Sequence, residues 1–119
     1  MEKLLVVRKE DVTPTVREGG RTSRLMVAPK NTEVKGMAMG YQTMPPGSVS
    51  TEHTHETEQE AFFLVKGTGY ATLGDQRFDV GPETAWVAPA KVPHALYNTG
   101  DDEMMFIWCY CPPLESQCK

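Results

Sequence analysis

The fold of this chain is restricted most by its rhythm of short apolar runs, each of which ends at a turn-forming residue. Nine prolines and ten glycines in 119 residues supply these breaks, and helices of ordinary length do not tolerate them at this density. A strict apolar period of 3.6 residues is hard to find. Eight to ten short strands at a spacing of about ten residues predict an all-β sandwich or barrel.

The candidate strands are distributed over the whole chain. By residue number, the apolar runs are 3–7, 24–29, 36–47, 60–67, 69–74, 76–81, 84–89, 94–98 and 103–111. Gly74-Asp75, between two alternating runs, predicts a hairpin turn. Segment 13–20 predicts at most one short helix or turn. Since no repeat, low-complexity tract or linker divides the sequence, we expect a single domain over residues 1–119.

Two runs, 61–65 and 104–111, are apolar on both faces. Residues two apart on a strand share a face, and within the first run Phe62 alternates with Phe63. A strand of this kind lies between packed layers or at a subunit interface. In a domain of this size we expect a homodimer that covers one outer face.

The charge and the cysteine content exclude several classes of function. The formal net charge is −4 and the pI is about 5.3, which disfavours nucleic acid and anionic membranes as partners. No apolar stretch approaches the roughly 20 residues of a membrane span, and the first apolar run is too short for a signal peptide. Three cysteines, an odd number, fit a reducing compartment. We therefore expect a soluble cytoplasmic protein.

Candidate metal ligands concentrate in the segment STEHTHETEQE, residues 50–60. Two of the three histidines in the chain, His53 and His55, are one residue apart. On a strand they project to the same side, close enough to bind one metal ion. Glu60 points inward with Phe62 by parity, and a carboxylate there is costly unless a charged group pairs with it. A metal ion is the natural partner.

The third histidine, His94, follows Pro93 at the start of the run 94–98. All three histidines can therefore be assigned to one site with one glutamate, a donor set that borderline divalent metals favour. The alternative is that the HTH histidines are loop residues in a hydrophilic segment and that His94 is a lone strand residue.

The spacing of these residues resembles the first motif of the cupin superfamily, G-x5-H-x-H-x3,4-E-x6-G. Every gap of that motif is satisfied by five residues of this chain, which are Gly47, His53, His55, Glu60 and Gly67. The resemblance covers roughly residues 36–111, and this first motif is highly specific.

The second cupin motif, G-x5-P-x-G-x2-H-x3-N, is matched in part. Pro89, His94 and Asn98 stand at its proline, histidine and asparagine. Lys91 stands at its second glycine, which predicts a wider or differently shaped turn. Gly81 lies two residues further from the proline than the motif requires, which predicts a longer turn between those strands.

This resemblance implies a small single-domain cupin, or monocupin. Its fold would be a double-stranded β-helix, the jelly-roll barrel, with residues 1–35 packed on the barrel core 36–111 or on a dimer partner. One divalent transition metal would bind per subunit, with Fe or Mn favoured over Zn, Ni, Cu or Co. One or two coordination positions would stay open. The implied ligands are His53, His55, Glu60 and His94.

Three classes of function fit such a site. The first is a mononuclear metal-dependent enzyme that acts on a small organic substrate by dioxygenase-type chemistry. The second is a metal-dependent lyase, decarboxylase or isomerase without redox chemistry. The third is a non-enzymatic small-molecule-binding module. We expect an enzyme, because neither DNA-binding helices nor a second domain accompany the barrel.

The pocket is expected to be small and largely apolar, which suits an aromatic or short-chain substrate. Arg24, Gln42 and Tyr97 are candidate orienting groups, and Arg24 is a candidate partner for a substrate carboxylate. Glu52, Glu56 and Glu58 are interpreted as a solvated acidic rim. The residues expected to line the interior are Met37, Met39, Tyr41, Phe62, Trp86, Leu96, Phe106 and Trp108.

Overall fold

The computed structural model describes residues 5–119, with the side chain of Glu52 left outside the description. Over this range the chain forms ten strands and three short 3-10 helices. The helices are Lys9–Asp11, Glu18–Gly20 and Glu115–Gln117. The strands are β1 (Thr15–Val16), β2 (Thr22–Val27), β3 (Ala38–Met44), β4 (Val49–His53), β5 (Gln59–Lys66), β6 (Gly69–Leu73), β7 (Gln76–Val80), β8 (Thr84–Ala88), β9 (His94–Asn98) and β10 (Met104–Cys111).

The strands form two antiparallel sheets. The larger sheet has the order β1-β2-β3-β10-β5-β8, and the smaller has the order β4-β9-β6-β7. From β3 onward the chain crosses repeatedly between the two sheets, as in a jelly roll. The predicted all-β jelly roll is therefore confirmed.

The hydrophobic core lies between the two sheets and is formed mainly by inward-facing residues of β3 and of β5 to β10. On β5, Phe62 and Leu64 are buried, whereas Phe63 and Val65 are 44% and 42% exposed. Burial of a side chain of this size contributes about 1.5–3 kcal/mol to stability. On β10, the inward set is Met104, Phe106, Trp108 and Tyr110.

The close approach of β3 and β10 requires a glycine. Trp108 lies directly opposite Gly40 in the ladder, and a Cβ at that position would overlap the indole ring. The bulk of the tryptophan is therefore accommodated because its cross-strand neighbour has no side chain.

The N-terminal segment adds two strands to the edge of the larger sheet. The expected strand at 3–7 falls partly on residues 1–4, which lie outside the described residues, and residues 5–7 form no strand. Segment 13–20 contains the expected short helix, a 3-10 helix, and also β1, which was not expected. β1 pairs with β2, and β2 pairs with β3.

Two residues other than glycine adopt a left-handed backbone conformation within the described range. They are Glu83, with φ 64°, and Lys91, with φ 69°. The Glu83 N–H donates to the Leu64 carbonyl at 2.7 Å, and the Lys91 N–H donates to the His55 carbonyl at 2.7 Å. Both turns therefore make a hydrogen bond to a neighbouring segment in a conformation that normally favours glycine.

The turn at Glu83 stands in place of the longer turn that Gly81 predicted. Glu83 lies six residues before Pro89, the separation that the second motif gives its first glycine. Lys91 stands at the second glycine and keeps a glycine-like φ angle. The chain thus keeps the backbone conformation of the motif without its glycines.

Among residues 5–119, the structure contains no helix with the length and apolar character that crossing a bilayer requires.

We predict that Glu83→Gly and Lys91→Gly each increase the free energy of unfolding by up to about 1 kcal/mol. An L-residue in the left-handed region costs about 1–2 kcal/mol, and glycine loses part of that gain through unfolded-state entropy. Urea denaturation would measure the change. Glu103→Gly, at an exposed position without a positive φ, is the control and should lower stability. A loss of stability in both turn variants would contradict the prediction.

Candidate metal centre

Four side chains from both sheets converge at one end of the barrel. His53 ends β4 and lies opposite His94, the first residue of β9. His55 follows two residues after β4 in a loop, and Glu60 projects inward from β5. The smaller sheet and its adjoining loop therefore supply three imidazoles, and the larger sheet supplies one carboxylate.

The distances between these groups suit a single metal ion. Glu60 Oε1 lies 3.1 Å from His94 Nε2, 3.7 Å from His55 Nε2 and 3.9 Å from His53 Nε2. One ligand atom from each of the four residues lies within 4.8 Å of the others. An ion with bonds of about 2.0–2.2 Å to nitrogen and oxygen fits among donors so arranged. The structure therefore brings together the four residues that the motif spacing indicates.

Hydrogen bonds to the backbone orient two of the imidazoles. His53 Nδ1 lies 2.9 Å from the Thr51 carbonyl oxygen, and His94 Nδ1 lies 3.2 Å from the Val92 carbonyl oxygen. Since a carbonyl only accepts, each Nδ1 carries the proton. Nε2 then faces the glutamate: it donates to the carboxylate when the ring carries a second proton, and it offers a lone pair to a metal once that proton is lost.

The glutamate is buried and ionised. Glu60 is 5% exposed, and burial by itself raises the pKa of its carboxyl. Hydrogen bonds from His53 and His94 outweigh the burial and hold that pKa below its ordinary value. A carboxylate that stays charged in the core provides the negative charge that a divalent cation needs.

The paired histidines differ in proton affinity. The hydrogen bond to Glu60 raises the pKa of His53 above its ordinary value of 6.5. Burial lowers the pKa of His55, and the nearby charge of His53 lowers it further. Of these two histidines, His53 is therefore the one that keeps its proton to higher pH, so a metal must displace that proton there.

Tyr110 is part of this site, although the sequence analysis did not include it. It pairs with Glu60 across the β10–β5 ladder, and its hydroxyl lies 3.1 Å from His55 Nε2. Burial and the charge of Glu60 raise the pKa of this phenol, so it stays protonated at neutral pH. Its parity with Trp108 on β10 was the available signal.

A cavity of about 550 Å³ opens next to the four candidate ligands. It is not largely apolar as expected, because polar and charged side chains outnumber apolar ones in its lining. Five of the residues expected to line the interior do line this cavity and form its apolar wall. Among them, Phe62 and Trp86 stack with ring centroids 5.1 Å apart. Glu56 and Glu58 are not among the lining residues, as expected. The confirmed apolar lining residues are Phe62, Trp86, Leu96, Phe106 and Trp108.

The prediction is wrong for three other residues, which do not line the cavity. Met39 and Tyr41 lie opposite Cys109 and Ile107 of β10, on the face turned away from Trp108. Met37 precedes β3 and does not line the cavity. The parity of β3 could not be read from apolarity, because its outward face carries the larger apolar side chains.

The cationic side chains that line the cavity do not include Arg24, the one that was expected there. Arg24 donates from Nε to the Val12 carbonyl at 3.1 Å and does not line the cavity, whereas Arg17 and Arg21 do. Alternation along β2 was the signal for Arg21, since it is four residues before Leu25, which packs against the core. The expectation for Arg24 is therefore wrong.

Of the other two candidate orienting groups, one lines the cavity and the other does not. Gln42 lines the cavity. Tyr97 instead stacks on Tyr70 with ring centroids 4.3 Å apart, and it is not a lining residue.

Comparison with known proteins gives a match to a protein family and matches to individual proteins. The profile of the cupin domain family matches residues 40–110. The Methanocaldococcus jannaschii protein MJ1618 is 24% identical over 111 residues, which cover 93% of this chain and 89% of that protein.

Solved structures share the fold over nearly the whole chain. A predicted oxalate decarboxylase from Thermotoga maritima superposes with a TM-score of 0.81 at 21% identity, covering 91% of this chain and 99% of its own. KdgF from a Halomonas species superposes with a TM-score of 0.83 at 18% identity, covering 96% of this chain and 98% of its own. Bacillus subtilis oxalate decarboxylase, which has Mn(II) centres, superposes with a TM-score of 0.79 at 21% identity. The match covers 87% of this chain and 29% of that protein. At these identities the likeness shows the fold.

We predict that the affinity of the protein for Mn²⁺ falls as the pH drops from 8 to about 5.5. Only neutral imidazole binds a metal, and the raised pKa of His53 means that proton competition begins above the ordinary histidine value. Titration calorimetry in buffers of different ionisation enthalpy would give both the affinity and the number of protons released. An affinity independent of pH over this range would contradict histidine ligation.

Proposed function

The chain belongs to the cupin domain family, and from this premise we propose that it is a metal-dependent enzyme acting on a small organic substrate. The observation that carries the proposal is the placement of the buried Glu60 carboxylate among three imidazole nitrogens. This cluster lies in the wall of a cavity of about 550 Å³, a size that suits a small molecule.

In this proposal His53, His55, Glu60 and His94 hold one divalent ion, with iron or manganese favoured. The manganese of the Bacillus subtilis neighbour supports this preference, and the mixed nitrogen and oxygen donors suit both metals. When bound, such an ion supplies Lewis acidity and, if redox-active, reactivity toward dioxygen.

The reaction class we propose is a dioxygenation. The protein contributes an aromatic wall beside the candidate ligands, where the Phe62 ring centroid lies 5.9 Å from those of His94 and Phe106. An apolar surface next to a metal centre suits oxygen chemistry, because it leaves no proton donor on that side.

A decarboxylase or lyase is the second candidate, because Tyr110 keeps its proton. Its phenol lies 3.1 Å from His55 Nε2, where it can donate a proton to a carbon centre after a bond to carbon is broken. A dioxygenation has no such requirement. The neighbours named as oxalate decarboxylases support this candidate.

We predict oxygen uptake by the Fe(II)-loaded protein with a member of a panel of aromatic and short-chain acids. His53→Ala should abolish metal binding and uptake but leave the circular dichroism spectrum unchanged, because His53 is exposed and outside the core. Thr54→Ala, an exposed neighbour, is the matched control and should keep both. Metal content would be measured by elemental analysis.

The alternatives give different results in the same assay. Substrate loss without oxygen, supported by zinc, would replace dioxygenation with the lyase or decarboxylase candidate. Stoichiometric binding of a panel member with no turnover under any metal would favour a binding module. A protein that binds no metal after reconstitution would contradict the whole proposal.

We also propose a homodimer formed through the outer face of the larger sheet. Phe63, Val65 and Val87 are 44%, 42% and 47% exposed. They lie on the β5 and β8 faces turned away from the core, and Ile107 lies opposite Phe63 on β10. Exposed apolar groups at adjacent positions mark an interaction surface, and a second copy presents the same flat face by two-fold symmetry.

Phe63→Glu should shift the protein from dimer to monomer, because the new carboxylates would face each other across a desolvated interface. Light scattering coupled to size-exclusion chromatography would measure the mass. Val16→Glu, at the opposite edge of the sheet and 72% exposed in the wild type, is the control and should leave the mass unchanged. A monomeric wild type would overturn the dimer.

A further inference from the structure

Two arginines line the cavity from the N-terminal segment. Arg17 follows β1 and Arg21 precedes β2, and the Arg17 N–H donates to the Arg21 carbonyl at 2.7 Å. This backbone bond keeps the two residues adjacent, and both line the cavity. They lie outside residues 40–110, the part of the chain that matches the family.

Neither guanidinium is neutralised by an ion pair within the described side chains. No described carboxylate lies within 4 Å of either group. Arg21 Nε donates to the Glu18 carbonyl at 3.0 Å, which leaves the other N–H donors of that group for a ligand. The pair is therefore a concentration of unused positive charge at the cavity.

The two positive charges also oppose each other. Burial lowers the pKa of Arg21, and the charge of Arg17 lowers it further. Arg21 remains charged at neutral pH, because its lowered pKa still lies far above 7. An anion bound between them would relieve this repulsion.

Both arginines face the same cavity as the candidate metal centre. Arg17 and Arg21 line it together with the four candidate ligands and Tyr110. The third cation of the cavity, Lys30, instead donates to the Ser116 carbonyl at 3.0 Å. The arginine pair is thus the cationic group placed to hold a molecule beside the four candidate ligands.

We propose that Arg17 and Arg21 form a subsite for the oxyanion group, carboxylate or phosphate, of an organic molecule whose apolar body packs on Phe62 and Trp86. Guanidinium groups bind both oxyanions through paired N–H donors, and the stacked rings offer an apolar surface in the same cavity. That this molecule is the substrate rests on the proposed function; the subsite itself does not.

The test is titration calorimetry of the metal-free protein with benzoate, phenyl phosphate and neutral benzamide at low ionic strength. We expect one of the two anions to bind saturably, with benzamide at least about tenfold weaker because it lacks the charge-assisted hydrogen bonds. Affinity for the anion should fall as salt is added. The preferred anion identifies the head group.

Variants then assign the binding to the pair. Arg17→Ala and Arg21→Ala should each weaken anion binding about tenfold, and Arg17→Lys should restore part of it. Arg24→Ala is the matched control, because Arg24 lies on the same segment but does not line the cavity; it should bind as the wild type does. Arg17 is exposed, so its removal tests the subsite even if Arg21→Ala unfolds the protein.

The proposal is overturned if the wild type binds neither anion, if benzamide binds as well as the anions, or if Arg17→Ala binds as tightly as Arg24→Ala. These outcomes are independent of the proposed enzyme activity. Arginine-dependent anion binding in a protein without turnover would reject the enzyme and keep the subsite. Turnover with unchanged Michaelis constants in the arginine variants would keep the enzyme and reject the bound anion as its substrate.

Discussion

The rest of the site depends on one buried carboxylate. Glu60 comes from the larger sheet, and the imidazoles that contact it come from β4, β9 and the loop that follows β4. An isolated carboxylate at this depth would cost several kcal/mol or would become protonated. The contacts with His53 and His94 keep it charged, so one interaction both joins the two sheets at this end of the barrel and creates the cation site.

The barrel and the N-terminal segment have separate roles in our proposals. The family-matching core, residues 40–110, supplies the four candidate ligands and most of the aromatic wall. The hairpin of β1 and β2 supplies the arginine pair. In these proposals the metal chemistry and the recognition of an anionic head group are separable, because the two arginines lie outside the part of the chain that matches the family.

The left-handed turns connect backbone strain to the site. Lys91 donates its N–H to the carbonyl of His55, so the loop that holds a candidate ligand is fixed by a residue in an unfavourable conformation. Such strain persists only where the surrounding structure determines the backbone. The jelly roll requires this turn geometry more strongly than it requires glycine.

Sequence alone was sufficient for most of the strands from β2 onward and for the grouping of His53, His55, Glu60 and His94, because strand alternation and motif spacing can be read along the chain. It was not sufficient to orient β3. Alternation shows which residues share a face, but not which face is inward when both are apolar; the pairing of Gly40 with Trp108 decides that. The arginine pair likewise required the tertiary structure, since only the packing of the N-terminal hairpin onto β3 brings those charges to the cavity.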